Sequence, residues 1–515
     1  MPSQLPRGVH PMLELPELLL HTFNEFSVKD LMTVALTCKL WSDVATTIIW
    51  SSRTVPVSVL LSILAPVVHT KRYLKAKEAE RSADTRQQAN RVVDSLARGL
   101  SILVPITRQH WTRFLIYSQK IRSLLVDVVL DANSVDSLRR LLKTFQGTLC
   151  SGLRAMEIRA RGCDGWRVMV DLFLAPSITD FTLDQGRGLG EGWMLLEFLT
   201  FQSPGLRSLT IRDRDPKTSA ALEIVASAFK NLKRLHLGDI TQGGWRNLEK
   251  AENLVDLSIV SSVIHGLWQK AIAESTSSTN TVTLTTLERL VIVRSYDTGA
   301  FMDALNNTAF PALRVLVFDT SDGSYDPGAF LRHLRTCSGL LEEVDITPPD
   351  MHIRSVLTNL SQLHTIRRLR ISPPYGITDD DLATLAKNLP LLEQLRLREH
   401  TNTLPQLSEE SLQVAVTYCE KLRDLRLSLR FQNLPSDPLA SPPRVTSHRL
   451  EHLSLEIWNL PKAHDPLFAC YIALFAPDVR ELTITKTHRS PEGRMVIEPA
   501  TAMIRAVADF RKHRQ

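Results

Sequence analysis

The sequence predicts an α/β solenoid, with a parallel sheet inside and helices outside, and three observations predict it. A short hexad with apolar residues at its first, fourth and sixth positions returns fourteen times, from IRSLLV at Ile121 to VRELTI at Val479. Thirteen steps separate those two starts, a mean of about 27.5 residues, which is room for one strand, one helix and their connections. Between hexads lie stretches with helical apolar spacing, such as DDLATLAKNLP (Asp380 to Pro390) and EESLQVAVTYC (Glu409 to Cys419).

The hexad reads as a strand. Alternate side chains point the same way, so the fourth and sixth residues face the core while the third and fifth face outward. One repeat cannot bury its own apolar face, so neighbours must stack. The step lies in the range of leucine-rich repeats, which form a horseshoe with the sheet on its concave side. The array departs from that pattern in its turns. Three positions after the last strand residue, where such repeats place Asn or Cys, stand Ile240, Pro349 and Trp458 among others. Backbone groups in those turns must therefore be satisfied in some other way. Near the C-terminus, Met503, Ile504, Val507 and Phe510 at helical spacing predict a capping helix.

Ahead of the array, residues 11–52 hold three short amphipathic segments. LPELLLHTF puts Pro16 at a first helical position and Glu17 in the first turn, where it suits the helix dipole. Ser27 and Asp30 form an S-x-x-D box ahead of Leu31 and Val34. In the third segment Trp41, Val44, Ala45 and Ile48 share one helical face. Three helices this short need an attached domain or a partner to cover their apolar faces.

The run LPELLLHTFNEFSVKDLMTVALTCKLWSDVATTIIW resembles an F-box, with Leu15-Pro16, Phe23, Asp30-Leu31, Val34, Leu36, Cys38-Lys39, Trp41 and Trp50 in the family's order. The join from Ile106 into the first hexad also resembles that of fungal F-box proteins with degenerate leucine-rich repeats. The resemblance implies a three-helix module docking on the Skp-type adaptor of a cullin-based ubiquitin ligase. Leu15, Pro16, Leu19, Phe23, Leu31, Val34 and Trp41 would form or support its docking face. It further implies a substrate-recognition subunit of an SCF (Skp-cullin-F-box) ligase that carries no catalytic residue of its own. Two alternatives stay open: a non-ligase scaffold, and an inhibitor that covers a partner protein with its concave face.

Residues 53–105 read as a helical linker with a charged insert. Val57 to Val68 is an apolar helix expected to pack on the F-box, and Lys71 to Arg98 carries eight Lys or Arg against four Asp or Glu. Without a tight basic cluster that insert reads as a solvated segment rather than an RNA-binding one. The solenoid then occupies 106–490 and the capping helix and tail 491–515.

Nothing in the chain looks catalytic. GRGLGEG (Gly186 to Gly192) follows a strand, but a G-x-G-x-x-G loop would need glycine where Glu191 stands. Six cysteines are scattered without a C-x-x-C pair, which argues against disulfide or zinc frameworks and for an intracellular compartment, cytoplasmic or nuclear. The N-terminus has no apolar signal core and no run of eighteen apolar residues occurs, so neither secretion nor membrane insertion is expected. A net charge of +6 over 515 residues is too mild to imply nucleic acid. No cofactor and no metal is expected.

Recognition then falls to the outward hexad positions. These are apolar at Val291, Val315 and Val317, acidic at Glu343 and Asp345, and basic at Arg368, Arg370, Arg396 and Arg426, with Arg398 continuing its strand. Arginine forks on neighbouring strands suit an acidic or phosphorylated protein substrate. Equally open is a solvated face in which Arg370 or Arg396 pairs with Asp345 or Asp424. The valines mark a hydrophobic contact beside the charges.

Overall fold

The computed structural model describes residues 16–63, 67–69, 99–102, 107–126, 129–130, 136, 140, 143, 149–159, 170, 172–184, 192–212, 230–238, 240–260, 281–293, 299–319, 326–349, 352–372, 376–397, 405–430, 443–458, 464–489, 495–499 and 501–514. The chain divides into two compact units, Met1–Leu237 and Gly238–Gln515. Leu15, Arg398, the Lys71 to Arg98 insert and the Gly-rich loop before Gly192 lie outside the described residues.

The first unit opens with three helices, α1 (Pro16–Phe23), α2 (Val28–Val34) and α3 (Lys39–Ser51). Ser27 caps α2 as the sequence predicts, its hydroxyl accepting from the Asp30 amide at 3.3 Å. Two residues after α3 the chain enters a strand, β1 (Thr54–Pro56), and then a short helix, α4 (Val57–Ser62). Strands β2 (Val67–His69) and β3 (Gly99–Ile102) pair with each other, and a helix α5 (Arg108–Ser118) leads into β4 (Ser123–Val126) and β5 (Val129–Leu130). Then follow β6 (Ala155–Ile158), β7 (Asp180–Leu183), α6 (Gly192–Gln202), β8 (Ser208–Ile211) and β9 (Arg234–Leu237). Strands β1, β4, β6, β7, β8 and β9 pair in that order, all parallel.

The linker expectation needs correction here. Its first residues already belong to the repeat sheet, since Thr54 pairs with Ser123 and Val55 with Leu124, and Val55 is buried. Pro56 breaks no ladder because β1 sits at the edge of the row, where a missing N–H is tolerated. Helix α4 contacts β1 and β4 and so lies on the repeat sheet.

Among its described residues the second unit alternates parallel strands and helices in solenoid order. It runs α7 (Gln242–Asn247), β10 (Asp256–Val260), β11 (Val282–Thr283), β12 (Arg289–Val293), α8 (Gly299–Asn306), β13 (Thr308–Ala309) and β14 (Val315–Asp319). It continues α9 (Pro327–Cys337), β15 (Glu343–Thr347), α10 (Ile353–Leu360), β16 (Arg368–Ile371), α11 (Asp379–Asn388), β17 (Gln394–Leu397), α12 (Glu410–Tyr418) and β18 (Asp424–Arg430). β19 (His452–Trp458), α13 (Asp465–Phe475), β20 (Glu481–Arg489), β21 (Met495–Pro499) and α14 (Thr501–Arg514) complete it. From β10 to β20 the long strands pair in parallel, one per repeat, while successive helices such as α9 and α10, or α11 and α12, pack side by side.

The hexads form the core as their pattern predicts. In both units every first, fourth and sixth hexad residue is buried except Leu482, which is half-buried. Phe330 of α9 fits between the strand ring of Phe318 and the turn ring of Phe310, at centroid distances of 5.4 and 6.0 Å.

Neighbouring repeats are tied at the start of each strand. The carbonyl of the second hexad residue accepts two amides from the next repeat: Glu288 O takes Arg314 N and Val315 N at 2.8 and 2.9 Å, and Arg367 O takes Glu393 N and Gln394 N at 2.7 and 3.0 Å. A hydroxyl just before the hexad adds a second tie. Ser177, Thr286 and Thr365 donate to the carbonyls of Leu153, Leu254 and Leu341 in the preceding repeat, at 2.7, 2.9 and 2.7 Å. Along that same edge the second hexad residues alternate in charge from Glu288 to Arg480, and Arg314–Glu342, Arg367–Glu393 and Arg423–Glu451 form ion pairs.

The C-terminus closes the sheet with more than the predicted helix. β21 folds back antiparallel on β20, so the last repeat strand is not left as an open edge. Helix α14 buries Met503 and Val507 and packs on α13. Replacing Phe330 by alanine should cost about 3–5 kcal/mol, the usual range for a buried aromatic. A fall in the urea midpoint of the full chain's unfolding, followed by circular dichroism, checks this.

Candidate functional site

Two surfaces are candidates, one in each unit. In the first, the sequence-predicted docking residues mostly turn inward. Leu19, Phe23 and Leu31 are 1%, 4% and 3% exposed and make a small core with Val44, Ala45 and Ile48 of α3. Val34 and Trp41 are half-buried against that core, Trp41 meeting Phe23 edge-on at 5.6 Å. Pro16 is exposed at the start of α1. The motif residues therefore build the module more than they face a partner.

The apolar side chains left in solvent are their neighbours. Leu18, Leu20, Met32 and Leu36 are 40%, 43%, 61% and 88% exposed. The sequence did carry a signal for them. Successive helical residues turn by about 100°, so the run Leu18-Leu19-Leu20 cannot bury all three members on one face.

The module is tied to the repeats of its own unit at several points. Trp50 of α3 packs on Tyr117 of α5 at 5.5 Å. Lys120 donates to the Thr46 hydroxyl at 3.0 Å and to the Asp43 carbonyl at 3.4 Å. Two residues separate α3 from β1, so the module is joined to the repeat sheet directly.

The second surface is the outward face of the second unit's sheet. Register places Val291, Val317, Asp345, Arg370, Arg396, Arg426 and Ser454 side by side on successive strands from β12 to β19. The parallel row two residues earlier runs Arg289, Val315, Glu343, Arg368, Gln394, Asp424 and His452. The sequence-predicted residues thus do come together, Arg398 excepted as undescribed. The valines are half-buried, Arg368, Arg370 and Arg426 are exposed, and Arg396 is intermediate.

The arginines are not a bare cationic ladder. Arg368 pairs with Glu343 at 3.1 Å, Arg370 with Asp345 at 3.4 Å and Arg396 with Asp424 at 2.7 Å. Asp424 also meets Arg426 at 3.4 Å and receives a short hydrogen bond from the Gln394 amide. Like charges opposite each other on neighbouring strands repel, and Asp424 is the group that offsets this for Arg396 and Arg426. Burial pushes its carboxyl pKa up, but the hydrogen bonds from Arg396 and Gln394 outweigh that and hold it below the ordinary value. Asp345 goes the other way: burial raises its pKa, Arg370 pulls it down, and Glu343 and Asp319 push it up again.

A groove of about 240 Å³ opens among Arg370, Arg396, Arg426, Ser454 and Glu456. Glu456 is held by the hydroxyls of Ser428 and Thr487, at 2.9 and 3.0 Å. Arg370 and Arg426 keep about half of their side chains in solvent (46% and 51%). The Nε of Arg396 is buried with no hydrogen-bond partner among the described residues. The Asp424 carboxylate holds two of these guanidiniums, those of Arg396 and Arg426.

Among the described residues no group of three His, Cys, Asp or Glu could hold a metal, and no helix is long and apolar enough to cross a membrane. Burial pushes the thiols of Cys150 and Cys419 up to about 12, so neither ionises near neutral pH.

No family model and no curated protein matches the chain. Among solved structures it is similar to an internalin of Listeria monocytogenes at 12% identity and a TM-score of 0.35, over 78% of this chain and 98% of that one. It is also similar to a structure of the Rad7 and Elc1 complex in yeast, at 15% identity and a TM-score of 0.36, over 68% of this chain and 81% of that one.

Asp424→Asn removes the charge that separates the arginines and should destabilise the chain by about 1.5–3 kcal/mol at neutral pH, as expected for losing hydrogen bonds to a charged group. Because the folded pKa lies below the unfolded one, this contribution is complete above about pH 3.9 and is lost as pH falls through the folded value. Urea midpoints of wild type and variant should therefore differ at pH 7 and converge only under strong acid.

Proposed function

We propose that this chain is a substrate-recognition subunit of an SCF ubiquitin ligase, with residues 16–51 as the F-box. The observation that carries the proposal is the N-terminal module. Residues in F-box order build its core from Leu19, Phe23 and Leu31, while Leu18, Leu20, Met32 and Leu36 stay exposed for an adaptor. Exposed leucines and methionines on a module this small need a covering partner. A Skp-type adaptor, and through it a cullin, is the partner that the resemblance implies.

In this reading the repeats hold a protein substrate on their outward sheet face and contribute no chemistry of their own. The ligase gains rate by holding the substrate beside the ubiquitin-charged enzyme, which replaces a diffusional encounter by a fixed one. A rigid join between module and sheet serves that task, and α3 running into β1 supplies one.

A pull-down from cell extract tests the reading. The full chain should recover the adaptor and the cullin. A Leu18→Asp and Met32→Asp double variant should recover at least about tenfold less, since each buried leucine-sized side chain contributes about 1.5–3 kcal/mol. Both residues are exposed in the free chain, so the variant should keep its wild-type melting temperature. Adaptor recovered without cullin points to a scaffold, and no adaptor at all sinks the proposal.

A further inference from the structure

The groove on the outward face of the second unit holds a cation and an anion that do not meet. Around it Arg370, Arg396 and Arg426 stand against Asp345, Asp424 and Glu456, so the charges sum to zero. No net charge draws an ion here; how the charges are partnered matters more. Asp345 has Arg370 at 3.4 Å and is attracted by Arg396 as well, while Glu343 has Arg368 at 3.1 Å. Asp424 holds Arg396 at 2.7 Å and is shared with Arg426, whose Nε stands 3.4 Å away. Arg426 thus has only part of a counter-ion. Its two terminal nitrogens make no hydrogen bond among the described residues, and its side chain is 51% exposed.

Glu456 is the other half. Its two oxygens accept from the hydroxyls of Ser428 and Thr487 at 2.9 and 3.0 Å. Both hydroxyl residues are buried, so they fix the half-buried carboxylate from beneath. No cation among the described residues pairs with it. Arg430, next along the outward side of β18, has a partner of its own. Holding a carboxylate partly out of water without a counter-ion is costly, and an arriving cation relieves that cost.

Register sets the distance between these two groups. Arg426 lies opposite Ser454 and Ser428 opposite Glu456. Arg426 and Glu456 are therefore one strand and two residues apart, about 8 Å between Cα atoms. In an α-amino acid the ammonium and carboxylate are joined through one carbon, about 3 Å apart. A contact of about 2.8 Å at each end brings the span to about 8.5 Å. The Ser454 hydroxyl, which makes no hydrogen bond among the described residues, lines the groove beside them. At about 240 Å³ the groove is smaller than the sites that take drug-sized ligands, which suits one small molecule.

We propose that this groove binds a free α-amino acid as its zwitterion, with the carboxylate on Arg426 and the ammonium on Glu456. Arg426 offers its unused terminal nitrogens as a fork, the geometry that carboxylates take bidentately. Ser454 donates to the same carboxylate. Site and ligand are each neutral overall and carry their charges in matching places. The assignment goes beyond the ligase reading and does not rest on it.

Calorimetric titration of the full chain with each free L-amino acid, in a buffer without amines or amino acids, tests this. At least one should bind with a Kd of about 1 mM or tighter. N-acetylation of that amino acid removes the ammonium and amidation removes the carboxylate charge; each should weaken binding at least about tenfold. Glu456→Gln keeps an acceptor for Ser428 and Thr487 but loses the charge. It should bring the free amino acid down to the affinity of its N-acetyl form, and Arg426→Gln should bring it down to that of the amide. Each variant thus removes discrimination against one blocked form only, a pattern that loss of folding cannot produce. Binding of no amino acid overturns the proposal, as does equal binding of the free and N-acetylated forms. So does a capped peptide carrying lysine and glutamate that binds tighter than every free amino acid, which would assign the groove to a protein partner. Adaptor capture by the same preparation is scored separately: if it persists while no amino acid binds, the groove assignment fails and the F-box reading stands.

Discussion

Each repeat is hung on its neighbour by one carbonyl that accepts two amides. The second hexad residue supplies it, as Glu288 does for Arg314 and Val315, and Glu451 does for Arg480 and Glu481. That double acceptor fixes where the next strand begins. With the start fixed, a register slip of one residue would turn every hexad leucine to solvent, so the buried fourth and sixth positions lock the same alignment from the other side. Backbone geometry and hydrophobic burial agree on the alignment. Hydroxyls at Ser177, Thr286 and Thr365 reinforce the same edge.

Strict register has an electrostatic consequence. Equivalent positions stand side by side on every strand, so any charge in the hexad meets its counterpart about 4.8 Å away. At the second position the sequence alternates sign from Glu288 onward, and Arg314–Glu342, Arg367–Glu393 and Arg423–Glu451 pair off. At the fifth it does not: Arg370, Arg396 and Arg426 are consecutive. Asp424 makes that triplet tenable by reaching both Arg396 and Arg426 from a nearly buried position. This one residue both stabilises the sheet and holds two of the guanidiniums that line the groove.

The repeat core was legible because a hexad spacing survives whatever lies between copies. Leu290 and Ile292, or Leu395 and Leu397, could be assigned to the core from alternation alone, and Val291 and Arg396 to the outward face. What escaped were elements with no repeat to announce them. β1 is three residues long and pairs with a strand 69 positions later, Thr54 with Ser123, and β21 is the only antiparallel member of its row among the described residues. The roles of the N-terminal module's residues were legible only in part. The motif marks Leu19, Phe23 and Leu31, yet packing turns these inward, and the neighbours Leu18 and Leu20 take the solvent side. Asp424 could be read as a partner for Arg396, but not as buried, because its burial depends on Gln394 and Arg396 lying across it from the preceding strand.

The same rigidity that fixes the register bears on how such a chain could work. Within the first unit Trp50 against Tyr117, Lys120 on Thr46 and the entrance of α3 into β1 remove the hinge where one is most expected. A linker of flexible residues there would let the module sample many orientations and would lose the entropic advantage of fixed geometry. Placing a strand of the repeat sheet directly after the last module helix converts the sheet's own hydrogen bonds into the join. Stability of the first repeats and orientation of the module then become one property, and a substitution that loosens β1 should weaken both together.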